Sequence, residues 1–122
     1  MVVFDYAVDR YPVGKRPWLR TFHRHQVGTD PLTEPGSQDI TADVSIGQLG
    51  QVKLPVTNLS QAEWLRLHGI DALVEEGRAY WAANASTADL NAVRFRSRIS
   101  ESEALLDPAG LGAFRVIEWL VA

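Results

Sequence analysis

The stretch DPLTEPGSQDITADV, residues 30–44, decides how the chain is read, because a loop signature passes there into an alternating strand. Pro31, Pro35 and Gly36 mark backbone that leaves regular structure, since proline fixes φ and glycine tolerates dihedrals that other residues avoid. From Asp39 to Ile46 the pattern changes to strict alternation. Asp39, Thr41, Asp43 and Ser45 fall on one side of an extended chain, and Ile40, Ala42, Val44 and Ile46 on the other. Carboxylates and hydroxyls held in one row can orient a cationic or amide group through charge-assisted hydrogen bonds. The same alternation is also what the wet face of an edge strand shows, so spacing alone leaves both readings open.

Working outward, residues 18–27 (WLRTFHRHQV) read as extended, with Trp18, Arg20, Phe22 and Arg24 opposed to Leu19, Thr21, His23 and His25. The chain starts with a strand, residues 2–6, whose successive apolar side chains suit a strand covered on both faces. After the opening stretch, Ser45 with Gln48 has capping-box spacing and predicts a short helix from Ile46. Residues 52–56, interrupted by Pro55, read as an edge strand. Ser60 with Glu63 is a second capping box, starting a helix that Gly69 ends. Asp71 is read as the cap of the next helix, in which Leu73, Val74, Gly77, Tyr80 and Trp81 recur at helical spacing. Residues 87–106 read as a further helix, with Ser100 and Glu103 as another capping box. Val93, Phe95, Ser97 and Ile99 alternate with Arg94, Arg96 and Arg98, so a strand competes there. A turn at residues 107–112 precedes the strongest strand, residues 113–121, which is expected at the centre of the sheet.

Composition bounds the rest. With 122 residues, 46% apolar and 22% charged, the chain fits one globular domain, and its net charge of −3 gives no general reason to expect nucleic acid or an anionic membrane as partner. The absence of cysteine excludes disulfides, thiolate metal sites and cysteine nucleophiles, and the cytoplasm is the default compartment. No apolar run reaches membrane-spanning length. Hydrolase elbows, phosphate loops and H-E-x-x-H helices are missing. Gly110-Leu111-Gly112 precedes a strand and so reads as a tight turn. His23 and His25 would face the same way on one strand, with His68 or Asp30 as further ligands. Without a third ligand at a diagnostic spacing they define no metal site. Arg94, Arg96 and Arg98 are followed by Glu101, Glu103 and Asp107, which makes a solvated charged face.

Four stretches, LRTFHRHQV (19–27), DPLTEPGSQDITADV (30–44), SQAEWLRLHGI (60–70) and DPAGLGAFRVIEW (107–119), together resemble the C-terminal part of the MidA-type family. These are class I S-adenosylmethionine-dependent methyltransferases related to the arginine methyltransferase that assists mitochondrial complex I assembly. The most specific features are a histidine-ended strand at His25, then Asp30-Pro31-Leu32, Pro35-Gly36 and Asp39-Ile40-Thr41 in order. VVFDYA (2–7) resembles the family's fifth strand, with Ala7 in place of its usual glycine. Asp43 and Ser45 stand where the family tends to have histidine and aspartate.

The resemblance implies an α/β fold, the C-terminal portion of a Rossmann-like sheet. Residues 2–6 would be a parallel strand, residues 52–56 the far edge, and residues 113–121 a central antiparallel last strand between them, with flanking helices. It implies methyl transfer to a protein nitrogen, with S-adenosylmethionine as cofactor and His25, Asp39 and Thr41 as substrate-side residues. No catalytic residue is assigned. The glycine-rich cofactor turn of such enzymes has no counterpart in the chain, so no cofactor is expected to bind it alone. The expectation is therefore a fragment, inactive by itself. The alternative is an interaction module that dimerises, or completes a split enzyme, through the strand edge at Val2, Val3 and Phe4.

Overall fold

A computed structural model describes residues 1–14, 18–28, 30–87 and 90–121. Its main sheet has three strands, β1 (Val2–Asp5), β8 (Arg115–Glu118) and β7 (Thr57–Ser60), in the order β1-β8-β7. The last strand is central and antiparallel to both neighbours, pairing Val3 with Ile117 and Asn58 with Ile117. Its position follows from its composition: Val116 and Ile117 point to opposite faces, and each is 0% exposed, which only a strand covered on both sides permits.

Helices supply the two covers. On the Ile117 face, α1 (Ile46–Val52) packs Ile46 and Leu49 against Ile117, Trp119, Val3 and Ala7. On the Val116 face lies α2 (Gln61–Leu67), whose Trp64 meets the Phe4 ring edge-on at 5.1 Å. The α1 start is capped by Ser45, whose hydroxyl accepts from the Gln48 amide. The α2 start has the full reciprocal box between Ser60 and Glu63. Two longer helices, α3 (Ile70–Asn84) and α4 (Leu90–Leu106), pack against each other. A Cβ at Gly77 would lie 2.7 Å from the Phe95 carbonyl oxygen, so glycine is what lets the two backbones approach. A short 3₁₀ turn (Leu111–Ala113) then feeds β8.

Several expectations change. The far edge strand is Thr57–Ser60, and the more apolar residues 52–56 close α1 and lead into it with Val52, Leu54 and Val56 exposed. Pro55 and the exposed side chains leave that segment nothing to bury, whereas Asn58 and Leu59 pair with β8. The first strand is covered on its Val3 side, while Val2 and Phe4 on the other are 46% and 44% exposed. Gly69, with φ of 89°, both ends α2 and caps α3, which puts Asp71 inside the first turn. The alternating arginine segment is helical. Tyr80 stacks on Phe95 at 4.2 Å, Arg98 pairs with Glu76 at 2.8 Å, and the Arg96 guanidinium lies over Trp81, so contacts along α3 outweigh the local alternation. Ser100 sits within α4, where its hydroxyl donates to the Ser97 carbonyl rather than capping.

A second sheet carries the opening stretch. Its strands β3 (Leu19–His23), β4 (Gln26–Val27) and β5 (Asp39–Ala42) run in the order β4-β3-β5, all antiparallel. It joins the main body through the parallel pair β2 (Ala7–Val8) and β6 (Val44–Ser45). No helix among the described residues is long and apolar enough to cross a membrane.

Candidate functional site

Where β1 ends, the chain turns outward: the Asp5 carboxylate accepts from the Tyr6 amide at 2.8 Å, and the Tyr6 carbonyl accepts from the Val44 amide at 2.8 Å. This turn sets the Tyr6 ring between the two sheets. One side meets Phe114, with centroids 4.2 Å apart, and the Arg20 guanidinium lies 5.2 Å from its centre. Arg20 comes from β3, opposite Thr41, and reaches across to form a two-pronged ion pair with Asp43, one Nη1–Oδ2 contact being 3.4 Å. Tyr11 then donates its hydroxyl to the Asp43 carbonyl at 2.8 Å and stacks on Trp18 at 4.4 Å. The Asp43 amide donates to the Trp18 carbonyl. Each group is thus fixed by backbone pairing on one side and a ring or ion pair on the other.

The polar row of the opening stretch does lie along one side of an extended segment, but it points inward. Thr41 and Asp43 are half-buried and Ser45 is buried, whereas Ile40 is 58% exposed. Alternation assigns two faces without saying which is covered, and here Arg20 supplies the partner that makes the polar one the inner one. Asp39 stays exposed at the start of β5, opposite Phe22.

His25 lies elsewhere. Residues 18–27 form a hairpin rather than one strand: Arg24 and His25 are its two-residue turn, with φ of 49° and 65°. Two positive φ values are the twist-matched hairpin geometry, usually signalled by glycine or asparagine, which is why the sequence reads as continuous. The strand ends at His23, so His23 and His25 do not share a face. Asp39 and Thr41 are therefore brought together on β5, and His25 is placed beyond the sheet at the hairpin tip. No group of three or more described His, Asp or Glu side chains could hold a metal ion.

The loop of residues 30–38 is held by Gln38, whose amide donates to the carbonyls of Asp30 and Thr33. A Cβ at Gly28 would fall 2.4 Å from the Gln38 side chain and 2.5 Å from that of Thr21, so the loop closes onto a bare backbone. His23 lies against it, its Nδ1 2.6 Å from the Ser37 carbonyl. A carbonyl only accepts, so in this contact Nδ1 carries the proton. A cavity of about 260 Å³ opens here, lined by His23, Gln26, Gly28, Glu34, Ser37 and Gln38 among others.

Two carboxylates outside this region are held below their usual range. Glu63 is lowered by the Ser60 amide and hydroxyl, and Glu118 by the Thr57 hydroxyl and then the Trp64 indole N–H. Both belong to the scaffold.

The described residues do not fit an adenosyl cofactor. Such a site needs a strand leading through a glycine turn to the free N-terminus of a helix. The strand-to-helix junctions here are Ser45 and Ser60, whose hydroxyls already accept from their own helices' first-turn amides. The space beside Gly28, Gly77 and Gly112 is filled by neighbouring atoms of the chain itself.

Fold and site together define an α/β protein with an aromatic-lined, acidic strand region and no adenosyl cradle among its described residues. Residues 1–63 match the family described as "Putative S-adenosyl-L-methionine-dependent methyltransferase", and the chain belongs to that family. The match spans both edge strands of the main sheet and the whole opening stretch, and ends within α2. No curated protein matches the chain. Sequence reading alone passed over Tyr6, Tyr11, Trp18 and Arg20. The available signal was the recurrence of aromatic residues at 6, 11 and 18 just before Arg20, with Asp43 across the strand pair.

Proposed function

We propose that this chain is the acceptor-side portion of a MidA-type class I methyltransferase, that the family's methyl transfer goes to a protein nitrogen, arginine in particular, and that the chain transfers no methyl by itself. The observation that carries this reading is the family match over residues 1–63, which contains the polar stretch and the Asp5-Tyr6 turn at the end of β1. In the proposed enzyme β1 is the fifth strand of a Rossmann-like sheet. Polypeptide bearing the adenosyl site pairs along its open edge, where Val2 and Phe4 are partly exposed. Asp39 then faces the acceptor from the exposed start of β5, with Thr41 half-buried beside it, and His25 stands at the hairpin tip as an outer contact. S-adenosylmethionine supplies the electrophilic methyl group, and this chain supplies orientation and shelter around the acceptor nitrogen. The cytoplasm is the compartment we assign.

The exposed Val2 and Phe4 edge favours a second reading, a non-catalytic module that dimerises there. Sedimentation separates the two: a monomer excludes the module, and a dimer abolished by Phe4→Lys supports it. Calorimetry of the purified chain with S-adenosylmethionine tests the first reading. No heat of binding is expected, and saturable binding would overturn the division of the site.

A further inference from the structure

Among the described residues β5 has a free edge, and the register fixes which groups it presents. The Asp43 amide donates to the Trp18 carbonyl, and β3 and β5 pair Leu19 with Ala42, Arg20 with Thr41, Thr21 with Ile40 and Phe22 with Asp39. Hydrogen-bonded and non-hydrogen-bonded pairs alternate along an antiparallel ladder. Trp18 with Asp43 is therefore followed by bonded pairs at Arg20–Thr41 and Phe22–Asp39, while Ile40 and Ala42 turn their backbone N–H and C=O away from β3. The Gly28 amide, which donates to the Thr21 carbonyl at 2.7 Å, agrees: Thr21 turns its own groups toward β4. Among the described residues no strand pairs on the outer side of β5.

The same residues that offer these backbone groups also expose their side chains, Ile40 at 58%. The carboxylate at this edge is Asp39, exposed at the start of β5, whereas Asp30 and Glu34 belong to the loop that closes against β4. Arg20, the cation on the neighbouring strand, is already engaged by Asp43, and Arg24 and His25 belong to the turn between β3 and β4. An edge with free donors and acceptors, an apolar side chain and an acidic end fits an extended segment bearing a cationic residue.

We propose that the acceptor protein docks here by strand addition, as an extended segment hydrogen-bonded to Ile40 and Ala42 with its basic residue toward Asp39. This inference rests on the acceptor-side reading of the chain, and names the shape and charge of what that side receives. Backbone pairing supplies affinity with little demand on sequence, and Asp39 supplies the preference for a cation.

The test uses the whole chain, isotopically labelled, and a short capped peptide in which valine and threonine alternate around a central arginine. Amide exchange and chemical shifts are read residue by residue. Slowed exchange at Ile40 and Ala42, roughly tenfold or more at saturating peptide, is expected, with weaker binding of a twin carrying glutamate at the centre. Ile40→Pro deletes one outward donor while leaving the bonded pairs at Asp39 and Thr41, and should abolish the effect; Asp39→Asn should erase the preference for arginine over glutamate. Should Ile40→Pro fail to fold, a peptide N-methylated at its sheet-facing amides makes the same cut from the other side and should not bind. Protection at β1 instead of β5, equal binding of the two peptides, or self-association of the chain through β5 would overturn the proposal. No cofactor enters this experiment, so its failure is distinguishable from failure of the methyltransferase reading.

Discussion

Replacing Asp43 by asparagine removes the charge that holds Arg20 while keeping the side chain's shape, and so isolates the clamp that ties the second sheet to the body. Sheltered hydrogen bonds to charged groups contribute about 1.5–3 kcal/mol, and exposed ion pairs about 0.2–1 kcal/mol. The Asp43 side chain is 12% exposed and that of Arg20 36%, which places the pair between those limits. The two-pronged geometry and the Tyr6 ring beneath the guanidinium favour the upper part of that interval. A double-mutant cycle of Asp43→Asn and Arg20→Gln should therefore give a coupling of about 1–2 kcal/mol from urea unfolding midpoints. Native-state amide exchange locates the loss. The Asp43 and Val44 amides, which bond to Trp18 and Tyr6, should exchange faster in either variant, while the amides of β8 should not change beyond the global shift. A coupling below about 0.3 kcal/mol would refute the clamp and leave the second sheet held by backbone pairing alone.

Two further outcomes concern the scaffold. Ile117→Ala should cost about 2–5 kcal/mol in urea unfolding, because Ile117 is fully buried among Ile46, Trp119 and Val3, whereas Ile40→Ala at an exposed position should stay within about 0.5 kcal/mol. Glu118 has a folded-state pKa below its ordinary value, owing first to the Thr57 hydroxyl and then to the Trp64 indole. Its contribution is complete above the ordinary carboxylate range and is lost as pH falls through the lowered folded value. Glu118→Gln should accordingly flatten the acid limb of a stability-against-pH curve, and an unchanged limb would show that these hydrogen bonds do not form in solution.

Three of the capping readings were legible in advance because a cap is a local transaction between a side chain and an amide a few residues on, whereas Asp71 and Ser100 fell inside helices. Ser45, the Ser60–Glu63 box and the Gly69 stop all fall where the spacing puts them. The central place of the last strand was legible from its apolar residues on successive positions, although the same pattern at Val2, Val3 and Phe4 left one face exposed. What escaped was set by contacts distant in sequence. TNLS (57–60) looks like loop and cap, yet it pairs with β8 because α2 begins at Gln61 and fixes where the strand must end. The arginine-rich alternation at residues 93–99 becomes helix through Tyr80, Trp81 and Glu76 on α3. At the site, the polar row was legible but its direction was not, because inward burial of Asp43 depends on Arg20 from another strand. The Arg24–His25 turn lacks the residues that normally announce positive φ, and with it went the position of His25.

The central proposal is that this chain holds the acceptor side of a methyltransferase and takes the cofactor side from elsewhere. The most direct measurement is transfer of labelled methyl from S-adenosylmethionine to an arginine-containing protein extract, with the chain alone, with a cofactor-binding domain from a relative of the same family alone, and with both mixed. The account predicts label on protein arginine only in the mixture. Transfer by the chain alone, or no transfer from a mixture shown by sedimentation to form a complex, would contradict it.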